Sequence, residues 1–333
     1  MKSSAQTKPK RILSGMRPTG KLHLGNLLGA LENWKKLQGA ESFFMIADWH
    51  ALTTEYASKF RVKDYVIDVV LDYLAAGLDP TKCTIFLQSL VPEHAELHLL
   101  LSMVTPLPWL ERNPTYKEQV QELKDRDLMT YGFLGYPVLQ AADILLYKAD
   151  AVPVGEDQLP HLELAREIAR RFNHLYKPIF KEAEAILTLA PKIPGTDGRK
   201  MSKSYNNTID LSDSPEIVDK KVMQMMTDPG RKRREDKGNP HICPVYFFHN
   251  LFNRENAKTV AYECKEALRG CVDCKKELSG YMVPFLKPIY ESRKELEGKR
   301  SKIKELLMEG SKMAQQVARK TLSEAKEAVG IGL

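Results

Sequence analysis

Cysteine and tryptophan are scarce in this chain, five of the first and three of the second in 333 residues. A small, odd number of thiols excludes the dense disulfide framework of a small secreted domain. Long apolar runs are missing too. No stretch approaches the ~18 consecutive apolar residues that a membrane span needs. The opening MKSSAQTKPK sets no apolar segment behind its lysines, so it does not read as an export signal. Residues 1–10 are expected to be a disordered lead-in, and the setting a reducing cytoplasm without a membrane partner. Internal repeats are also absent.

What remains is an ordinary globular composition, 43% hydrophobic and 28% charged, long enough for about two domains with a full core. The net charge of +7 is unevenly placed. Residues 1–210 carry 26 Lys/Arg against 25 Asp/Glu, whereas residues 211–333 carry 24 against 18 and include the run Arg231-Lys232-Arg233-Arg234. A basic module behind a neutral one points to a polyanionic partner such as RNA.

Short apolar runs alternate with helical patterns over the first 190 residues. RILSGM, SFFMIAD, CTIFLQS and AVPVGEDQ read as buried strands; NLLGALENWKKLQ, KDYVIDVVLDYLAAGLDP and QLPHLELAREIARRF read as helices. Such alternation predicts an α/β fold: a Rossmann-like parallel sheet over 11–207, with ligands at the carboxyl ends of its strands. Beyond it the strand-like runs disappear. DLSDSPEIVDKKVMQMM opens on capping residues and a proline at the first turn, and SKIKELLMEGSKMAQQVARKTLSEAKEAVG reads as one or two closing helices. Residues 208–333 are therefore expected to form an all-α C-terminal domain.

Two short stretches carry the sharpest chemistry. His23-Leu24-Gly25-Asn26 lies between the first strand and the first helix, where a small residue lets backbone approach a nucleotide and helix amides favour anions. Lys200-Met201-Ser202-Lys203-Ser204 follows a turn rich in Gly195, Asp197 and Gly198, and offers two cations and two hydroxyls to charge building on phosphate oxygens. Either stretch alone could be a structural turn or a solvated loop. Together they resemble the HIGH and KMSKS signatures of class I aminoacyl-tRNA synthetases, the first in variant form and the second letter for letter.

With SGMRPTGKLHLGN, ADWHALT, YPVLQAADILLY, VPVGEDQ and PGTDGRKMSKS, the resemblance narrows to the tryptophanyl-tRNA synthetases and covers nearly the whole chain. It implies a homodimer that activates L-tryptophan with ATP and Mg²⁺ and passes it to the 3′ end of tRNA(Trp). It further implies that His23, Asn26, Lys200 and Lys203 are catalytic. Arg17, Pro18, Thr19, Gly25 and Asn26 would border the ATP, with Gly155, Glu156 and Asp157 on its ribose and adenine side. Ile193 would touch the adenine, and the signature loop from Lys200 through Met201, Ser202, Lys203 and Ser204 would meet the phosphates. The C-terminal domain, 208–333, would bind the tRNA anticodon.

Asp143 interrupts an otherwise apolar helical run, and a carboxylate buried there needs a partner. Tyr136, Gln140 and Asp143, spaced four and three apart, share a helix face. An acceptor on that face can demand the indole N–H, because an analogue lacking it leaves the acid unpaired. His50 and Gln158 are further pocket candidates. The Tyr-x-x-x-Gln-x-x-Asp pattern is also reminiscent of tyrosyl-tRNA synthetases, which makes tyrosine the alternative substrate. Two readings come from other classes: a small-molecule nucleotidylyltransferase, which explains neither KMSKS nor the basic tail, and an RNA-binding module with a vestigial nucleotide site.

Four of the five cysteines fall within 32 residues, as Cys243-x20-Cys264-x6-Cys271-x2-Cys274. That clustering reads as a metal site rather than four core thiols, and all-sulfur ligation suits Zn²⁺ or an iron–sulfur cluster. His241 could stand in for Cys243. Some bacterial tryptophanyl-tRNA synthetases carry a [4Fe-4S] cluster in this domain on a similar cysteine order, and the resemblance implies one here, with Zn²⁺ as the alternative.

Overall fold

A computed structural model describes residues 10–39, 41–57, 61–114, 116–117, 120, 128–187 and 192–332. The lead-in expected over 1–10 lies outside them except for Lys10. The chain divides into two compact units, one of Met1–Thr19, Asn33–Leu189 and Arg300–Leu333, the other of Gly20–Glu32 and Ala190–Lys299.

The first unit is built on five parallel strands, β1 (Ile12–Met16), β2 (Ser42–Ile46), β3 (Thr84–Leu87), β4 (Ala151–Val154) and β5 (Glu184–Leu187), in the order β3-β2-β1-β4-β5. β2 is buried along its whole length, as expected of a parallel strand covered on both faces. Phe44 on β2 stacks on Trp34 with ring centroids 5.0 Å apart, and Tyr73 meets the same indole edge-on. The strand order reverses between β1 and β4. Chain leaving their carboxyl ends therefore borders the crevice where doubly wound sheets bind ligands. The four strands expected from sequence are all present. β5 was not foreseen: it is a four-residue edge strand, Glu-Ala-Ile-Leu, only partly buried, so it lacks the continuous apolar run of the buried strands.

The closing segment is a single helix, Arg300–Val329. Sequence grouped it with the C-terminal domain, but it belongs to the first unit and packs along β3 and the Glu93–Val104 helix. Its small residues explain the choice, since Gly310, Ser311, Ala314 and Ala318 form a narrow stripe that lets backbone approach the sheet. Ser311 Oγ accepts the Leu87 N–H at 3.1 Å, and buried Glu93 takes Arg319 Nε at 2.9 Å.

In the second unit the described elements from 208 onward are helices, as expected: Pro215–Gln224, Pro244–Phe252, Ala257–Lys265 and Cys271–Glu297, with one short 3₁₀ turn, Pro240–Ile242, between the first two. Ser214 caps the first by accepting the Ile217 N–H. The segment 20–32 joins this unit through backbone: Leu24 N–H donates to the Ile209 carbonyl at 2.8 Å, and Leu211 N–H to that of Leu22 at 2.9 Å. The compact units thus cut the chain differently from the 207/208 boundary.

A Cβ at position 310 would stand 2.0 Å from the Ile85 carbonyl oxygen. Gly310→Ala is therefore expected to destabilise by about 1–3 kcal/mol, read as a lowered urea midpoint. Gly280→Ala, where a Cβ meets nothing within 4 Å in mid-helix, should instead gain up to about 1 kcal/mol.

Candidate functional site

The two signature stretches meet within the second unit. His23 is 9% exposed, its backbone N–H donates to Asn26 Oδ1 at 3.0 Å, and its buried Nδ1 has no partner among the described residues. A Cβ on Gly25 would fall 2.9 Å from His23 Nδ1 and 3.8 Å from Met201 Cβ, and one on Gly20 would fall 3.2 Å from Lys203 Cδ. Only near-bare backbone lets the HLGN turn and the KMSKS loop approach this closely. Burial first, and the Lys203 cation second, lower the His23 imidazole to about 4, so the ring is neutral at physiological pH.

The loop itself is held by a residue that sequence reasoning passed over. Asn207, 1% exposed, donates to Asp197 Oδ1 at 2.6 Å and to the Lys200 carbonyl at 3.2 Å, and accepts the Ser202 N–H at 2.8 Å. Met201 N–H donates to the carbonyl of buried Ile193 at 2.9 Å, while Lys200 and Ser204 face solvent. The available signal was an asparagine just past the loop, a residue type that bonds nearby backbone.

In the first unit, Arg17, Pro18 and Thr19 leave the carboxyl end of β1, and Gly155, Glu156 and Asp157 leave that of β4, so both segments border the switch-point crevice. Gln158 turns toward Asp157, with Nε2 3.0 Å from Oδ2.

Asp143 is 2% exposed on the Tyr131–Leu146 helix. Its Oδ1 accepts Gln88 Nε2 at 2.8 Å and His94 Nδ1 at 2.6 Å, and its Oδ2 accepts His50 Nε2 at 2.8 Å. Burial pushes this carboxyl up, but His94 and His50 together outweigh it and hold the acid near 2. Three donors fill three of the four lone-pair positions of the carboxylate. One position on Oδ2 is left among the described residues, an acceptor for a single ligand N–H or O–H. Gln140 lies half-buried one turn before Asp143.

Tyr136 is 7% exposed and bonded to His161 Nε2 at 3.0 Å, while His161 Nδ1 faces Asn113 Nδ2 at 3.3 Å. The amide N–H donates to Nδ1, so Nε2 carries the proton and donates to the phenol oxygen. Burial, aided by His50, lowers His161 to about 4; burial also raises the Tyr136 hydroxyl despite nearby Arg17. Sequence reasoning named Tyr136, Asp143 and His50 and missed Gln88, His94 and His161. Gln88 ending an apolar strand was the one visible signal.

Cys243, Cys264, Cys271 and Cys274 line a single cavity in the second unit, together with Arg231 and Arg269. His241 is exposed and does not line it. Among the described residues no three His, Cys, Asp or Glu side chains stand at ion-holding distance, so the thiols share a cavity without closing on one centre. The donor set nonetheless fits a thiophilic metal group, with sulfur from four cysteines and a buried Arg231 Nε that meets no acceptor among the described residues. Burial pushes the Cys274 thiol up to about 12, so a metal would have to displace its proton.

The chain matches the family model described as tRNA synthetases class I (W and Y) over residues 5–287. It is 55% identical over 325 residues to the tryptophan–tRNA ligase of Thermotoga maritima, covering 96% of this chain and 99% of that protein. It is 46% identical to that of Aquifex aeolicus, covering 96% of this chain and all of the other. Among solved structures it is similar to the tryptophanyl-tRNA synthetase of Campylobacter jejuni complexed with ADP and tryptophan, at TM-score 0.84 and 34% identity, over 96% of this chain and all of that one.

Neutral His23 and His161 set a pH dependence. Each takes up its proton near 6.5 in the unfolded chain but only near 4 when folded, so protons favour unfolding. Stability present above about pH 6.5 is expected to fall as pH drops toward 4. Urea melts at pH 7 and pH 5 check this, and the His23→Gln/His161→Gln double variant should show a flatter slope.

Proposed function

The chain belongs to the class I tRNA synthetases of the tryptophan and tyrosine group, and within that group we infer a tryptophan–tRNA ligase. It activates L-tryptophan with ATP to tryptophanyl-adenylate and transfers the amino acid to the 3′ end of tRNA(Trp). The observation that carries the assignment on this chain's own residues is Asp143, a buried carboxylate with one open acceptor position. The indole N–H satisfies it, and an amino acid without an N–H or O–H there would leave one acceptor position of a desolvated carboxylate unmet. Tyr136 lies on the same helix face, fixed by His161. Gln140, Gln158 and His50 complete the tryptophan set, His50 by holding Asp143.

Activation needs no enzyme nucleophile. The tryptophan carboxylate oxygen attacks the α-phosphorus of ATP, the bond to the β-phosphate bridging oxygen breaks, and pyrophosphate leaves with the electron pair. Catalysis is then positioning and charge compensation. Arg17, Pro18, Thr19, Gly25 and Asn26 border the nucleotide, and Gly155, Glu156 and Asp157 hold its ribose side. Neutral His23 donates or accepts a hydrogen bond without adding charge, while Lys200 and Lys203 compensate the negative charge growing on pyrophosphate. Mg²⁺ enters with the phosphates and adds to that compensation.

Four cysteines on one cavity support a metal group, and we read it as a [4Fe-4S] cluster, with Zn²⁺ as the alternative. Cys243, Cys264, Cys271 and Cys274 would hold it, and it would supply a cross-link between the Pro244–Phe252, Ala257–Lys265 and Cys271–Glu297 helices. Lys232, Arg233 and Arg234, exposed beside it, suit phosphate contacts from tRNA, so we assign the 208–299 helices to the anticodon end. The chain acts in the cytoplasm, where its tRNA is charged. A homodimer is in keeping with the large apolar side chains left exposed in the first unit, Met103, Leu107, Met129 and Tyr131 among them.

Exchange of labelled pyrophosphate into ATP, run with each amino acid in turn, tests the specificity. Tryptophan alone should support exchange; exchange with tyrosine alone, or with none, sinks the assignment. Asp143→Asn should lower kcat/KM for tryptophan by about 100-fold or more, because one amide donor replaces the charged acceptor. Protein purified without oxygen is expected to be brown and to carry iron and sulfide, whereas stoichiometric zinc would replace the cluster reading. Cys274→Ser should reduce tRNA charging more than tryptophan-dependent exchange, and equal loss of both would show a general folding defect instead.

A further inference from the structure

The basic run Arg231-Lys232-Arg233-Arg234 is not one uniform patch. Lys232, Arg233 and Arg234 are exposed, whereas Arg231 is 9% exposed and turned into the thiol cavity. A turn built on Asp228 causes this. Its carboxylate accepts the backbone N–H of Gly230 at 2.8 Å and of Asn239 at 2.6 Å, and its carbonyl accepts that of Arg231 at 3.1 Å. Gly238 closes the loop over the thiols: its N–H donates to the Cys264 carbonyl at 3.0 Å, and a Cβ there would fall 2.6 Å from Cys264 Sγ and 3.3 Å from Arg231 Cδ.

Two arginines line the cavity, and they differ in how their charge is met. Arg269 is paired with Glu263 and Glu277. Arg231 has no carboxylate partner among the described residues. Its Nη2 donates to the carbonyls of Arg234 and Arg269, its Nη1 stands 3.8 Å from Cys264 Sγ, and its buried Nε meets no acceptor. Carbonyl dipoles offset only part of a buried guanidinium, and a neutral thiol is a poor acceptor. A thiolate is a charged acceptor and would complete the arrangement.

We propose that Arg231 is the counter-charge of the four-cysteine centre, donating to Cys264 sulfur and compensating a net negative metal–thiolate group. The inference rests on the reading that these cysteines hold a metal. It holds for either metal, because four thiolates outnumber the two positive charges of Zn²⁺ or of a [4Fe-4S]²⁺ core. A fixed positive charge at a ligand sulfur favours retention of the group and, for iron, its more reduced state.

The test uses full-length protein reconstituted without oxygen, once with Fe²⁺ and sulfide and once with Zn²⁺. Bound metal is counted, its loss to excess EDTA is timed, and the iron form is titrated electrochemically by its visible absorbance. Arg231→Gln is expected to lose the metal about 10-fold faster or more, and to titrate at a more negative potential when iron is bound. Arg231→Lys keeps the charge and should hold the group at close to the wild-type rate. Arg231→Gln with a wild-type loss rate and potential would overturn the proposal. So would Arg231→Lys losing metal about 10-fold faster than wild type, an arm that stands even if the glutamine variant does not fold. Wild-type protein that takes up neither iron nor zinc would refute the underlying metal reading instead, with the Arg231 variants never reached.

Discussion

A carboxylate shut away from water must be surrounded by donors, and meeting that demand organises the first unit. Asp143 draws His50 from the helix after β2, Gln88 from the turn after β3, and His94 from the helix that follows. The tie is doubled by backbone: Trp49 N–H donates to Gln88 Oε1 at 3.1 Å, and Ser89 N–H to Asp48 Oδ1 at 2.9 Å. His94 passes the constraint on to Tyr147 through a 3.0 Å hydrogen bond. Three donors cover most of the carboxylate but not all of it, so on the proposed reading the network that holds the acid also leaves the acceptor that would select the substrate. A network that satisfied every lone pair would be more stable and would have nothing left with which to select an indole.

A similar economy governs charge where the HLGN turn meets the KMSKS loop. An activation step that forms no covalent enzyme intermediate depends on where cations sit and on keeping other groups neutral. Burial and Lys203 keep His23 uncharged, so the histidine adds no positive charge of its own beside that lysine. Asn207 makes that placement specific. It fixes Asp197, Lys200 and Ser202 with one amide, which positions the loop backbone and leaves the Lys200 side chain in solvent. Asp143 and His23 thus show opposite solutions to burial, one kept charged by its donors and the other kept neutral by burial and the nearby Lys203 cation.

Much of this was legible in sequence, and what was not has identifiable causes. β1 to β4 are apolar runs that parallel burial makes continuous, and the two signatures are read by residue type alone. Asp143 stood out because a charge in an apolar helix needs an explanation. Of its partners only His50 was named; Gln88 and His94 were not, because a histidine on a helix or a glutamine at a strand end is ordinary until strand order places the ends of β2 and β3 side by side. The unit boundaries were hidden for a related reason. The small-residue stripe of the last helix announces close packing, but nothing in it says that the surface approached is β3 rather than its sequence neighbours.

The thiol cavity shows the same limit from the other side. Cysteine spacing reveals four ligands of one kind without revealing their surroundings, and a run of four basic residues reads as a single solvated patch. Only the turn at Asp228 separates Arg231 from its neighbours. The reaction assigned to this chain moves no electrons, so a metal group held there acts on structure and electrostatics. Four thiolates carry more negative charge than one dication removes, and the low-dielectric surroundings magnify the remainder. A cavity able to hold such a group needs an inward cation, and a surface able to hold RNA needs outward ones. One four-residue run supplies both because its backbone is turned after the first residue.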